Sequence, residues 1–260
     1  MREAHENLPW LTVLLSGPNP GRWKLVLETV RHGLPKEEAV LLHVSPAEVE
    51  PARLFFPDDR FTIGEWTLAD GAVLFSEPLT SDRTNVLVYG RPEFPDDLFE
   101  GLVDLFRAER CEMGRIVTQV HAGWGSGHEE TKAWYDACIH FSDLVLIDNR
   151  EEVPDAWVRE FRERYLKLRY PCHFDLVRKG LPKHPEWFFD SQPRRLSLVF
   201  DPDDLSGLGP GPVESDEDET DEIPEEPPGD PYLRRNAAGE RERKIKPLPF
   251  ALDAPAAGGG

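Results

Sequence analysis

The amino-acid sequence predicts an α/β protein built on a mostly parallel sheet, and three observations carry that prediction. Short apolar runs with β-branched members recur along the chain, they alternate with segments whose apolar residues fall at helical spacing, and Gly/Pro-bearing turns separate the two kinds. Strands alternating with helices in this rhythm imply right-handed crossovers and parallel neighbours, with helices covering both faces.

Leu8 to Arg31 sets the pattern. Leu11 to Leu15 is a strand-like apolar run, Ser16-Gly17-Pro18-Asn19-Pro20-Gly21 breaks it, and from Arg22 onward Trp23, Val26, Leu27 and Val30 share a helical face. Gly33-Leu34-Pro35 ends that helix. Ala39 to Val44 is a second buried-type strand, closed by the turn signal Ser45-Pro46. Between Glu48 and Pro78 the pattern thins: Arg60 to Leu68 alternates weakly, and Asp70-Gly71 before Ala72 to Phe75 reads as a hairpin turn. Asn85 to Tyr89 is a third core strand, stopped by Gly90-Arg91-Pro92. Asp96 to Arg107 is an amphipathic helix with two acids at its positive end. Arg115 to Val120 is a fourth strand, and His121 to Gly127 after it is a loop with three glycines, Gly123, Gly125 and Gly127. A helix from His128 to Phe141, a strand from Leu144 to Ile147, a helix from Pro154 to Leu168 and a short strand near His173 to Val177 complete the series.

With 39% hydrophobic and 10% aromatic residues in 260, the chain has ample material for a core without metal or disulfide support. Its net charge of −19 is unevenly placed. Residues 201–260 carry 6 Lys/Arg against 16 Asp/Glu, which leaves 24 against 33 for residues 1–200. An acidic surface of this kind argues against nucleic acid and anionic membranes as partners. Nine acids stand between Glu214 and Glu226 without a base, so residues 201–260 read as a disordered tail, acidic and then basic, after an α/β domain over 1–200. The basic part, Tyr232 to Phe250, either folds back on the acidic run, docks on a partner or stays solvated. Cys111, Cys138 and Cys172 are far apart and read as buried thiols in a reducing setting. Acids near the N-terminus are unlike a signal peptide, and no apolar run approaches a membrane span, so a cytoplasmic protein is expected.

A strand, a glycine-bearing loop and a helix in succession form the geometry in which α/β proteins hold phosphate, because loop amides and the helix N-terminus converge on one spot. The phosphate-loop pattern is G-x-x-x-x-G-K-[ST]. Here Gly17-Pro18-Asn19-Pro20-Gly21-Arg22-Trp23 is one residue short between its glycines, with Arg for the Lys and Trp for the hydroxyl that would hold magnesium.

Taken in order, these parts resemble the CobW-type P-loop GTPases, the metallochaperone group related to the hydrogenase and urease maturation GTPases. Ser16-Gly17 stands where that family opens its S-G-F-L-G-A-G-K-T-T loop, and Ala39 to Pro46 stands where its strand A-V-V-V-N-E-F-G lies. Asp70 to Phe75 lies where N-G-C-I-C-C supplies metal thiolates, but it has no cysteine. Ile116 to Ala122 is similar to V-V-T-V-V-D-A, and Ser142 to Glu152 to the guanine-reading A-D-x-I-V-L-N-K-T-D-L. The resemblance covers about residues 10 to 170 and implies a three-layer, P-loop-NTPase-like, mostly parallel sheet. It implies GTP with magnesium as ligands, and Gly17, Asn19, Gly21, Arg22, Asp148, Asn149 and Glu151 as the nucleotide-binding positions. Each functional position has changed, which implies no catalytic residue, no metal set and a non-catalytic pseudo-GTPase acting as an interaction or regulatory module with a protein partner. A nucleotide-binding protein using an altered loop is the alternative.

Ligands of parallel sheets sit beyond the carboxyl ends of the strands, here Ser16 to Arg22, His43, Tyr89-Gly90, His121 and Asp148-Asn149. Arg22 could replace the missing Lys on phosphate. His43, His121 and Asp148 could meet as a metal or acid–base group, against the alternative of ordinary hydrogen-bonded histidines. Cys172-His173 points to opposite faces of a strand, and Trp23, Trp124 and Trp134 read as packing.

Overall fold

The structure, a computed structural model, describes residues 8–201 and 229–248 apart from residues 57, 94, 95, 128 and 245. Its first half runs β1 (Trp10–Leu15), α1 (Arg22–Gly33), β2 (Val40–Val44), α2 (Val49–Phe55), β3 (Phe61–Ala69), β4 (Ala72–Phe75), β5 (Thr84–Tyr89) and α3 (Asp96–Arg107). The second half adds β6 (Glu112–His121), α4 (Ala122–Gly127), α5 (Glu129–Phe141), β7 (Leu144–Asp148), α6 (Asp155–Lys167), β8 (His173–Arg178) and β9 (Leu181–Pro182). Among the described residues these strands form one sheet in the order β4-β3-β2-β5-β1-β6-β7-β8-β9. Every pairing from β3 to β8 is parallel, and only the short edge strands β4 and β9 run antiparallel. This is the mostly parallel sheet of an α/β protein expected from the sequence, with helices on both of its faces.

The two-residue period of each strand sorts the core into two layers. Leu11, Val13 and Leu15 of β1, Leu87 and Tyr89 of β5, Ile116 and Val120 of β6, and Val145 and Ile147 of β7 face α3, α5 and α6. The intervening Leu14, Val86, Val88, Val117, Leu144 and Leu146 face α1 and α2. Strands buried on both faces must be apolar throughout, which is why these runs scarcely alternate with polar residues. The chain leaves β1 toward β2 but leaves β6 toward β7 on the other side. The crevice between the carboxyl ends of β1 and β6 is therefore the topological switch point, and the β1–α1 loop lies in it.

Three local expectations change. Val49–Phe55 is a helix, where the sequence gives no readable pattern, because only Ala52 of its residues is buried and a seven-residue helix offers little periodicity. The 3-10 turn that leads into it, Pro46–Glu48, has Ser45 as its N-cap, and Ser45-Pro46-Ala47-Glu48 has capping-box spacing. Ala122–Gly127 is a helix rather than a flexible loop, despite three glycines in six residues. Helix α4 packs so closely that an ideal Cβ on Gly125 would lie 3.1 Å from the Trp157 ring, and tertiary contact overrides the poor helix propensity.

The third change concerns the C-terminal stretch. Composition predicts a solvated tail over 201–260, yet residues 229–248 are seated on the α3 and α5 side of the molecule. Tyr232 and Leu248 are buried in that layer's core. Asp230 Oδ2 lies 2.8 Å from His140 Nε2 and accepts from the Ser197 hydroxyl at 2.5 Å. Burial alone would raise the Asp230 pKa, but these two bonds hold it below the usual carboxylate value. A turn at 236–239 pairs Arg235 with Arg241 in antiparallel fashion and brings both guanidiniums to Glu100, at 2.8 and 2.6 Å. Arg241 also reaches Asp96 and Asp97 in the first turn of α3. Two buried apolar side chains and a matched acidic surface supply what composition alone does not reveal. The acidic run from Glu214 to Glu226 lies outside the described residues.

Candidate functional site

The β1–α1 loop is held to β5 and to itself. The Ser16 and Gly17 amides donate to the Tyr89 carbonyl at 3.1 and 3.2 Å. Asn19, fully buried, turns its Oδ1 onto the Gly21 amide at 2.8 Å, and its carbonyl accepts from both the amide and the guanidinium of Arg22. Asn19 Nδ2 is buried without a partner. Gly17 has φ +54°, a conformation that strains any L side chain, and Leu248 Cδ1 lies 3.0 Å from where its Cβ would be. Leu248 thus fills a slot formed by Gly17, the Trp134 ring and the Arg91 carbonyl.

Arg22, at the start of α1, crosses to the turn that follows β2. Its Nη2 donates to Glu48 Oε1 at 2.5 Å, and its guanidinium lies over the Trp23 ring, 4.6 Å from the centroid. The Ser45 hydroxyl holds the other Glu48 oxygen at 2.7 Å. Glu48 presses against the end of β5 so closely that a Cβ on Gly90 would collide with its carboxylate. Trp23, the next residue, is buried edge-on against Phe56.

Asp148, the last residue of β7, reaches the same place from the other side. Its Oδ2 lies 3.2 Å from an ideal Cβ on Gly21, the N-cap of α1. Gln119 of β6 bridges the gap, donating Nε2 to Asp148 Oδ2 at 2.9 Å, while the Asn149 amide donates to Oδ1 at 2.8 Å. The positive end of α1 therefore faces a carboxylate of the chain itself.

The structure brings Gly17, Asn19, Gly21, Arg22 and Asp148 together. It sets Asn149 and Glu151 on an outer turn, with Asn149 left-handed at φ 54° and donating to Glu152 at 3.3 Å. The proposed meeting of His43 with His121 does not occur. They lie on β2 and β6, three strand steps apart, about 14 Å at the usual spacing. His43 is fully buried against Phe75 with neither ring nitrogen partnered, and burial lowers its pKa to about 4. His121 does stand beside Asp148 in the β6–β7 register, but its ring stacks on Trp124 and its Nδ1 lies 3.7 Å from Glu152. Burial lowers its pKa, against the pull of Glu152 and Asp148. Among the described residues no group of three His, Cys, Asp or Glu side chains could hold a metal ion. Cys172 is buried, its thiol pushed up to about 12 by burial, and His173 stacks on Trp187.

Sequence reasoning missed Glu48, Gln119 and Leu248. The capping-box spacing at 45–48 is a signal for the first. The other two carry none, since only strand order and the return of the chain bring them to the loop.

No protein family matches the sequence, and no curated protein does. Two solved structures of YjiA GTPase are similar in fold, the Zn(II)-bound protein from E. coli at 11% identity and a Zn(II)-bound triple mutant at 13%. Both have a TM-score of 0.43 and cover 72% of this chain and 67% of theirs. At that distance the residues of this chain, not the likeness, decide what its site can do. Among the described residues no helix is long and apolar enough to cross a membrane.

Proposed function

We propose that this chain is a non-catalytic relative of the P-loop GTPases, an interaction or regulatory module whose former phosphate site is filled by its own side chains. One observation carries the reading: both positive features of the β1–α1 loop already face an internal carboxylate. Arg22, the loop's cation, is paired with Glu48, and the N-terminus of α1 faces Asp148. A phosphate entering here would meet two negative groups at close range.

The residues present do not fit a nucleoside triphosphate with magnesium. The Gly21 amide is taken by Asn19, Trp23 offers no oxygen to a metal, and Leu248 lies over Gly17. Phosphoryl transfer depends on a positioned cation and a bound magnesium to neutralise developing charge, and this loop supplies neither. The alternative, binding through an altered loop, finds support in the unpartnered Nδ2 of Asn19 beside it.

Thermal unfolding of the full chain with and without millimolar GTP, GDP or ATP and magnesium separates the two. A ligand present at about 100 times its Kd adds about 2.7 kcal/mol, several degrees in Tm. The proposed function predicts no shift with any nucleotide. A shift that Arg22→Ala abolishes would establish the altered-loop reading instead.

A further inference from the structure

The seated C-terminal segment has the form of a ligand bound in cis. It meets the domain at three places: Asp230 and Tyr232 on α5, Arg235 and Arg241 on α3, and Leu248 on the β1–α1 loop. The α3 contact is a cluster of like charge met by its opposite, with Asp96, Asp97 and Glu100 around the guanidinium of Arg241. At the loop, the Leu248 amide donates to the Pro92 carbonyl at 2.8 Å and the side chain enters the slot between Gly17 and Trp134. An acidic patch beside an apolar slot is the complement of a basic segment that carries a leucine farther along.

One part of the attachment is open to solvent, while Arg241 is largely covered and Tyr232 and Leu248 are buried. The Arg235–Glu100 pair is about half exposed, with side chains 44% and 41% accessible, and such pairs are individually weak and screened by salt. What favours the cis arrangement is tethering, which gives the segment a high effective concentration at its own groove.

We propose that residues 229–248 form a displaceable strap. The surface beneath it, the first turn of α3 with the β1–α1 loop, is then a docking groove for a partner protein segment of the same chemistry: clustered arginines followed by a leucine-like side chain. The inference rests on the reading that this end of the sheet binds a partner rather than turning over nucleotide. With the strap seated the groove is closed, and a partner gains it by displacing the strap.

The test uses the full chain and a fluorescent synthetic peptide of residues 229–248 added in trans, followed by anisotropy at low salt. In the full chain carrying Arg241→Glu and Leu248→Asp, which release the strap while leaving the groove intact, the peptide should bind at least about tenfold tighter than to the unaltered chain. Adding Glu100→Arg to that variant should remove most of the gain, because the groove's charge is then reversed. A second release variant, Arg235→Glu with Arg241→Glu and Leu248 retained, guards against a folding defect in the first and should show the same order of affinities. Equal binding to released and unaltered chains, or binding indifferent to Glu100→Arg, overturns the proposal. Nucleotide hydrolysis by the unaltered chain would sink the non-catalytic reading while leaving the peptide result standing, so the two failures are distinct.

Discussion

The two ends of the parallel sheet use paired carboxylates to different effect. At the amino end Asp143, fully buried just before β7, accepts from the Ile116 amide at 2.8 Å, the Arg194 amide at 2.6 Å and the Arg195 guanidinium at 3.2 Å. Arg195 continues to Asp201 at 2.7 Å, and Arg115, with no exposed surface, donates to the Gln192 carbonyl at 2.7 Å. These bonds clip residues 190–201 beneath β6 and β7. At the carboxyl end Glu48 and Asp148 are paired too, but around the switch point where such sheets bind ligands. Deep pairing between elements locks the fold, whereas the same pairing at the rim surrounds the β1–α1 loop. Position in the sheet, rather than residue type, separates a carboxylate beneath the core from one at the switch point.

The largest test of that contrast is Asp143→Ala. Removing Asp143 takes the acceptor from the Ile116 and Arg194 amides and leaves the buried Arg195 with Asp201 alone, and the expected loss is about 3–5 kcal/mol in urea unfolding. A loss below about 1 kcal/mol would erase the distinction between the two ends.

Next comes pH, acting through His43 at the carboxyl end of β2. Its folded pKa, about 4, lies below the ordinary histidine value of 6.5, so between these values the unfolded chain binds a proton that the folded chain refuses. Stability is therefore full above pH 6.5 and falls as pH drops toward 4, by about 3 kcal/mol from this group. Unfolding of the wild type and His43→Leu across that window should show a slope difference of this sign. Parallel curves would mean that His43 is not the group responsible.

The smallest effect is expected at the rim. Arg22→Ala breaks the Glu48 bond but leaves Glu48 its Ser45 partner, so a cost of about 1–2 kcal/mol is expected, well below that of Asp143→Ala. A cost equal to that of Asp143→Ala would make Arg22 a structural keystone and merge the two classes of pairing.

Much of the fold was legible in the sequence for physical reasons that can be named. Val86 to Tyr89 and Leu144 to Ile147 are apolar without interruption because helices cover both faces of the sheet, and a buried run bounded by turn residues has few other readings. Helix α3 announced itself through Asp96 and Asp97 at its start and an apolar face behind them. Helix α4 was not legible, since A-G-W-G-S-G has the composition of a loop and becomes helical only against Trp157 and Glu152. Of the candidate site, the loop from Ser16 to Arg22 was found, and the Arg22 and Trp23 that follow its second glycine were read directly. Of the groups around it Asp148 was named, but Glu48, Gln119 and Leu248 were not, because only the assembled sheet and the return of the chain bring them to the loop.

The sequence by itself determined the class of fold, the place of the loop and the chemistry that loop lacks, because these depend on local pattern: periodicity, turn residues and the identity of side chains at fixed spacing. Only the tertiary structure decided which side chains surround the loop and that His43 and His121 stay apart. It also decided that residues 229–248 lie on the domain. Each of these depends on which strand neighbours which and on where the chain returns, and such contacts join residues whose separation along the chain leaves no local trace.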